Sequence, residues 1–191
     1  MERAGRQQER PEPGIITLPP GALIALCGPA GSGKSTFARN LVKNHAGFVE
    51  TMIVSSDHCR ALVCDDENNQ QVNRDSFDLF YYIIHKRMFQ KRLTIADSTA
   101  LKAEARHRLL ELAGRHQVAT CLLIFTVTEE TCRQRDQSRA RNVGEQVIAY
   151  HMGLLQQASQ ETLDEGWQQI HLLDEWAMER GVRIVIESDR Q

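Results

Sequence analysis

The run Gly28-Pro29-Ala30-Gly31-Ser32-Gly33-Lys34-Ser35-Thr36 fits the pattern G-x-x-x-x-G-K-[ST], whose chemistry is capture of a phosphate chain. Glycines let the backbone curl so that successive N–H groups face inward, and a helix N-terminus behind them adds partial positive charge. Lys34 is placed to reach the outer phosphates, and the Ser35 hydroxyl is offered to Mg²⁺. The sequence therefore predicts a cradle for ATP and Mg²⁺ made by Gly28, Gly31, Ser32, Gly33, Lys34, Ser35 and Thr36. A second cluster, Ser55-Ser56-Asp57-His58-Cys59-Arg60, carries an acid that can take the proton of an attacking hydroxyl. Arg60, one helical turn further on, shares its face and can hold a phosphate. The same spacing equally suits an Asp57 that caps a helix and pairs with Arg60.

Two further stretches have chemical content. Leu93-Thr94-Ile95-Ala96-Asp97 is a short apolar strand ending in an acid, the form of the second nucleotide motif, in which that Asp holds Mg²⁺, usually through water. Arg133, Arg135, Arg139 and Arg141 crowd one segment, with Arg135 and Arg139 four residues apart on one helical face. Arginines on a lid neutralise charge on a transferring phosphoryl group while the lid keeps water out. Glu129, Glu130 and Asp136 also offer intrahelical partners, so an ordinary solvated helix fits the same residues.

These side chains need elements to hold them. An apolar run at 22–27 predicts the strand that feeds the phosphate loop, and a helix follows to about Asn44. Residues 15–18 and 49–55 read as strands, and 61–71, rich in acids and amides, as a solvated loop. From 73 to 92 the apolar residues Phe77, Phe80, Tyr81, Ile84 and Met88 recur at three- and four-residue steps. A core-facing stripe explains them more simply than a base-stacking surface. An amphipathic helix over 102–116 precedes a near-continuous apolar run at 118–127, as expected of a central parallel strand. A helix from Thr128, another ending near Ser159, strands at 168–173 and 182–186 and a short helix at 174–180 complete the chain. Strands alternating with helices predict a three-layer α/β/α fold with a mostly parallel sheet. In such sheets ligands gather outside the carboxyl ends of the strands, which sets Asp57 and Asp97 at the mouth of the phosphate loop.

Composition narrows the partners. With 191 residues, 41% hydrophobic and 25% charged, the chain suits one sizeable α/β domain. Residues 1–13 read as a disordered lead-in, and 14–191 as one P-loop kinase domain with a helical, arginine-bearing lid at about 129–160. A formal charge of -2 supplies no global basic field, so any grip on nucleic acid has to be local. Cys27, Cys59, Cys64, Cys121 and Cys132 lack the paired spacing of a zinc site and read as reduced thiols. No apolar run approaches the ~18 residues of a membrane span, and the first residues lack a signal-peptide core, so a cytoplasmic location is expected.

Taken together, the motifs resemble a known family. The run Ile53-Val54-Ser55-Ser56-Asp57-His58-Cys59-Arg60-Ala61-Leu62-Val63-Cys64-Asp65-Asp66-Glu67-Asn68-Asn69-Gln70 is similar to a segment of the N-terminal 5′-hydroxyl kinase domain of bacterial polynucleotide kinase-phosphatase-ligase repair enzymes. The similarity continues through Leu93 to Thr99, Glu129-Glu130-Thr131-Cys132-Arg133-Gln134-Arg135 and Glu165-Gly166-Trp167. The resemblance implies an ATP-dependent kinase acting on 5′-OH ends of DNA or RNA. It assigns phosphate and Mg²⁺ contacts to Lys34 and Ser35, the general base to Asp57, an acceptor-phosphate contact to Arg60 and lid roles to Arg135 and Arg139. Asp97 matches the acid of the family's Asp-Ala-Thr-Asn motif, which reads Asp97-Ser98-Thr99-Ala100 here. Asp136 stands where the family commonly has Asn, and Ala149-Tyr150 replace a basic pair, changes that remove donors or add negative charge near the expected acceptor path. Phosphatase and ligase partners are expected as separate proteins. A small-molecule kinase of the gluconate or nucleoside type, or a non-transferring ATP-dependent switch, would share the phosphate loop.

Overall fold

The computed structural model describes residues 14–138 and 142–187. At its centre lies a five-stranded sheet in the order β3-β4-β2-β5-β6, formed by β2 (Leu23–Cys27), β3 (Ile53–Ser55), β4 (Thr94–Asp97), β5 (Thr120–Phe125) and β6 (Gln169–Leu173). All of its pairings are parallel. β2, β4 and β5 are buried along their whole length, as strands covered on both faces must be. Side-chain alternation then sorts the core into two halves. Leu23, Ala25 and Cys27 of β2, with Leu122 and Ile124 of β5, pack among residues of α3 (Asn73–Phe89), α4 (Ala103–His116) and α6 (Glu145–Glu161). Ile24, Leu26, Cys121, Leu123 and Phe125 face the other way, toward α1 (Lys34–Asn44) and Cys132 of α5 (Glu129–Gln137). The three-layer arrangement is the one the alternation of elements predicts.

The apolar stripe of α3 is core. Phe80, Ile84 and Met88 are fully buried and Tyr81 nearly so, while Phe77 packs at the edge of the same cluster. Burying each such side chain is worth roughly 1.5–3 kcal/mol, which is the reason to spend them inside rather than on a base-stacking surface.

Two expected boundaries move. The strand read at 49–55 is confined to Ile53–Ser55, preceded by a 3₁₀ turn at Glu50–Met52. β3 pairs only with β4, which offers it Ile95–Asp97, so the exposed Val49 has no neighbouring strand to join. The loop read at 61–71 begins late, because α2 (Ser56–Cys64) runs through Cys64 and stops where Asp65 turns left-handed at φ 58°. Its N–H then closes on Ala61 O.

β1 (Gly14–Leu18) and β7 (Val182–Ile186) form where strands are expected, but they pair with each other as a separate parallel ladder. Ile16, Leu18 and Ile184 seal the α1 side of the core. A side-chain bond from Gln169 to Thr17 O, 2.9 Å, ties this ladder to β6, and α7 (Glu175–Arg180) leads into β7. The five cysteines are free thiols, four of them buried. Among the described residues no helix is long and apolar enough to cross a membrane.

Register brings the chemistry together. Asp97 stands opposite Leu26 of β2 on one side and Ser55 of β3 on the other. The loops leaving β2, β3 and β4 therefore open at one level of the sheet.

Candidate active site

The chain leaves β2 at Cys27 and must turn sharply into α1, whose first residue is Lys34. Gly31 and Gly33 make the turn at φ 80° and 95°, a region side chains rarely adopt. Space forbids a side chain as well, since a Cβ on Gly31 would lie 2.4 Å from Cys132 O, where α5 presses on the loop. Gly28 N–H is held by Thr99 O at 2.9 Å, so the loops after β2 and β4 are tied together. Lys34 lies buried along the loop, with Nζ 2.7 Å from Pro29 O and 3.3 Å from Ser32 Oγ. Gly33 is the N-cap of α1 and makes no side-chain cap bond, which leaves first-turn amides directed at the loop's concavity.

Asp97 closes the floor of this cradle. It is 5% exposed, and the Ser35 hydroxyl donates a hydrogen bond to it. Burial pushes its carboxyl above the ordinary carboxylate range. The Ser35 bond, Lys34 and Arg39 pull it down, and Asp57 pushes it up. A carboxylic acid whose pKa is raised on folding binds more protons folded than unfolded, so stability falls as pH rises through that window. Asp97→Asn is thus expected to raise Tm at neutral pH, with the gain shrinking as pH is lowered from the raised folded value to the ordinary carboxylate value and gone below it. Thermal melts of both proteins across that range check it.

Asp57 sits in the first turn of α2, and Ser55, not Asp57, caps the helix by accepting the His58 N–H at 3.4 Å. The Asp57 side chain is 66% exposed and bonded by Arg60, whose Nη1 is 2.6 Å from its Oδ1. Arg60 itself is 3% exposed. Its Nη1 also donates to Glu67 O at 2.9 Å and its Nη2 to Asn73 Oδ1 at 2.8 Å, bridging α2 to the start of α3. Its Nε is buried without a hydrogen-bond partner among the described residues. The alternative in which Asp57 caps the helix and pairs with Arg60 is met in part: the cap is Ser55, two residues earlier, and the pairing with Arg60 is present.

In the segment expected to form a lid, Thr128 caps α5 by accepting the Thr131 N–H at 3.3 Å. The arginines then divide. Arg133 is engaged by Glu129 at 2.6 Å and Glu145 at 3.4 Å, as a solvated helix would have it. Arg135 instead reaches over the phosphate loop, its Nη1 donating to Ser32 O at 3.1 Å. Arg139 and Arg141 lie outside the described residues. Asp136 is turned away from the cradle, buried and accepting N–H bonds from Val143 and Gly144, both 3.1 Å, at the start of α6. A carboxylate there is stabilised by the helix N-terminus.

Sequence reasoning missed two residues. His151 of α6 accepts the Ala30 N–H through Nδ1 at 3.2 Å. Arg106 of α4 is fully buried, donating to Glu165, Glu161 and the carbonyls of Ala100 and Leu101 in the loop that follows Asp97. Neither has a spacing signal, since both contacts join residues far apart in the chain. The Glu165-Gly166-Trp167 run was the one hint of the second.

Several solved structures share this architecture at low identity. The Pnkp1/Rnl/Hen1 RNA repair complex matches over 76% of this chain at 19% identity and a TM-score of 0.61. The match takes in 47% of that polypeptide, so this chain spans about half its length. A gluconokinase from Sinorhizobium meliloti matches at 16% identity and a TM-score of 0.54, over 85% of this chain and 90% of that one. The Mycobacterium tuberculosis APS kinase CysC, in complex with AMPPNP and APS, gives 17% identity and a TM-score of 0.50 over 63% and 70%. At these identities the likeness establishes the fold. No curated protein matches the sequence. The family model described as AAA domain (AAA_33) matches residues 23–163, from the strand before the phosphate loop to the end of the lid helix. The match takes in most of the chain, which belongs to this AAA domain family and forms a P-loop kinase-like domain.

Proposed function

We propose that this protein is an ATP-dependent polynucleotide 5′-hydroxyl kinase. The observation that carries the reading is Asp57: an exposed carboxylate at the mouth of the phosphate loop, fixed by a buried arginine and relieved of capping by Ser55. A group so placed can accept a proton from a hydroxyl brought to the loop. The likeness to the kinase domain of polynucleotide repair enzymes, strongest in the segment around Asp57, supports the 5′-OH of DNA or RNA as that hydroxyl.

The donor side fits ATP. A glycine loop too tight for a side chain, open first-turn amides and a buried lysine together suit a chain of phosphates. Ser35 and Asp97, already hydrogen-bonded, would hold Mg²⁺, which when bound neutralises charge on the β- and γ-phosphates. In the proposed step the acceptor oxygen gives its proton to Asp57 and forms a bond to the γ-phosphorus. The bond from that phosphorus to the β–γ bridging oxygen breaks, and ADP leaves. Arg135, at the rim of the loop, stabilises the moving phosphoryl, and Arg139 is proposed to join it from the lid. Arg60 orients Asp57, and its Nε, without a hydrogen-bond partner among the described residues, is a donor that an acceptor phosphate could engage.

Incubation with γ-labelled ATP tests the reading. The panel sets 5′-OH DNA and RNA oligonucleotides beside gluconate, nucleosides and adenylyl sulfate. Label on the oligonucleotides is expected. Label on a small molecule alone identifies a small-molecule kinase, a reading favoured by the near-neutral charge of -2. Binding of ATP with no transfer to any acceptor identifies a nucleotide-dependent switch.

A further inference from the structure

The phosphate loop between Gly28 and Lys34 belongs to no strand or helix, and its shape depends on a few contacts from outside. Among the described residues, α5 and α6 supply two of them. Arg135 of α5 bonds Ser32 O at 3.1 Å, and His151 of α6 takes the Ala30 N–H at 3.2 Å. The second is chemically distinctive, because an imidazole can accept a proton only through a bare ring nitrogen. Burial pushes the His151 imidazole below its ordinary value, and Lys34 nearby pushes the same way, so the ring is neutral at physiological pH and Nδ1 is available. The ring proton is then on Nε2.

We infer that His151 is a positioning residue for the nucleotide: by holding the Ala30 N–H it fixes the Pro29–Ala30 peptide plane, at the start of the turn, and seats helix α6 on the loop. Gly31 and Gly33 follow at φ 80° and 95° with no side chains to restrain them, so a fixed Pro29–Ala30 plane ahead of both is a useful brace for the turn. A loop already braced loses less freedom when a phosphate chain enters, and that saving appears as affinity. His151 acts through Ala30 and is not assigned a contact with substrate.

The inference rests on the ATP-binding part of the proposed function and is independent of the acceptor. Its test is therefore equilibrium binding of ATP to the full chain by calorimetry, with no acceptor present. His151→Leu keeps the bulk and loses the acceptor. It is expected to weaken ATP binding about fivefold, the worth of a single hydrogen bond. His151→Asn places an amide oxygen near the position of Nδ1 and is expected to restore affinity to within about twofold. Melting temperatures of the variants separate this from misfolding, since a merely structural contact would lower Tm and affinity together and would not be rescued selectively by Asn. Wild-type affinity in His151→Leu, equal weakness in both variants, or tighter binding by His151→Leu each overturns the inference. The last outcome would mean that phosphate displaces the imidazole. A wild-type protein that binds ATP yet labels no 5′-OH end sinks the polynucleotide reading and leaves this one standing.

Discussion

Asp57→Asn is expected to slow phosphoryl transfer by roughly 10²–10⁴-fold, the usual contribution of a positioned general base, while ATP affinity stays within about twofold of wild type. The separation follows from geometry. Asp57 belongs to α2 and is held by Arg60, whereas the donor cradle is built by the loop after β2, the first turn of α1 and Asp97. Asn has the same shape and can still accept the Arg60 hydrogen bond, so Arg60, Glu67 and Asn73 keep their places. What it lacks is basicity. Single-turnover transfer beside calorimetric ATP binding measures the two effects independently. Comparable losses in both would mean that Asp57 serves the donor site instead.

The largest stability effect is expected at Arg106. Its guanidinium donates to both Glu165 oxygens, to Glu161 and to the carbonyls of Ala100 and Leu101, with no exposure to solvent. In Arg106→Met, Glu165, 5% exposed in its side chain, would lose the guanidinium that compensates its buried charge while keeping the Trp167 N–H and the more distant His107. Breaking such a pair from one side costs about 3–5 kcal/mol, because the remaining charge has lost its compensation. For a domain of this size each kcal/mol corresponds to roughly 2–4 °C, so Tm should fall by about 6–20 °C. The pH dependence follows from Glu165. Burial alone would raise its carboxyl, but hydrogen bonds from Arg106 and Trp167 and the charges of Arg106 and His107 bring it below the ordinary value. A depressed carboxylate contributes stability above its unfolded pKa and loses it as pH falls through the folded one. Wild type should therefore lose stability on acidification through this group, and Arg106→Met should show a flatter profile below the ordinary carboxylate range. Thermal melts across that range read both quantities.

Arg106 also shows where sequence reading stops. In the linear chain it is one charged residue among several on an amphipathic helix, with nothing to separate it from its solvated neighbours Arg108 and Arg115. Its burial is created by Glu161 and Glu165, 55 and 59 residues away. His151 is hidden for the same reason, since its partner lies 121 residues upstream. The phosphate loop was legible because its chemistry is contiguous: glycines, lysine and hydroxyl act from neighbouring positions. Asp57 and Asp97 were legible because Asp97 ends β4 and Asp57 lies two residues past the end of β3, and parallel sheets align strand ends. The sheet itself could be read from its alternating elements, but the pairing of β1 with β7 could not, as both are short strands that carry no mark of their partner. Asp136, which the sequence suggested would place negative charge near the acceptor path, is instead absorbed by the amides that open α6.

The central claim is that this phosphate loop serves a hydroxyl at the end of a nucleic acid chain. Its most direct test is to locate the label after reaction of wild type and Asp57→Asn with γ-labelled ATP and a 5′-OH oligonucleotide. The account predicts label on the 5′ oxygen with wild type and at most about a hundredth of that rate with Asp57→Asn. An oligonucleotide left unlabelled by a wild-type protein that binds ATP, or labelled equally fast by both proteins, would contradict it.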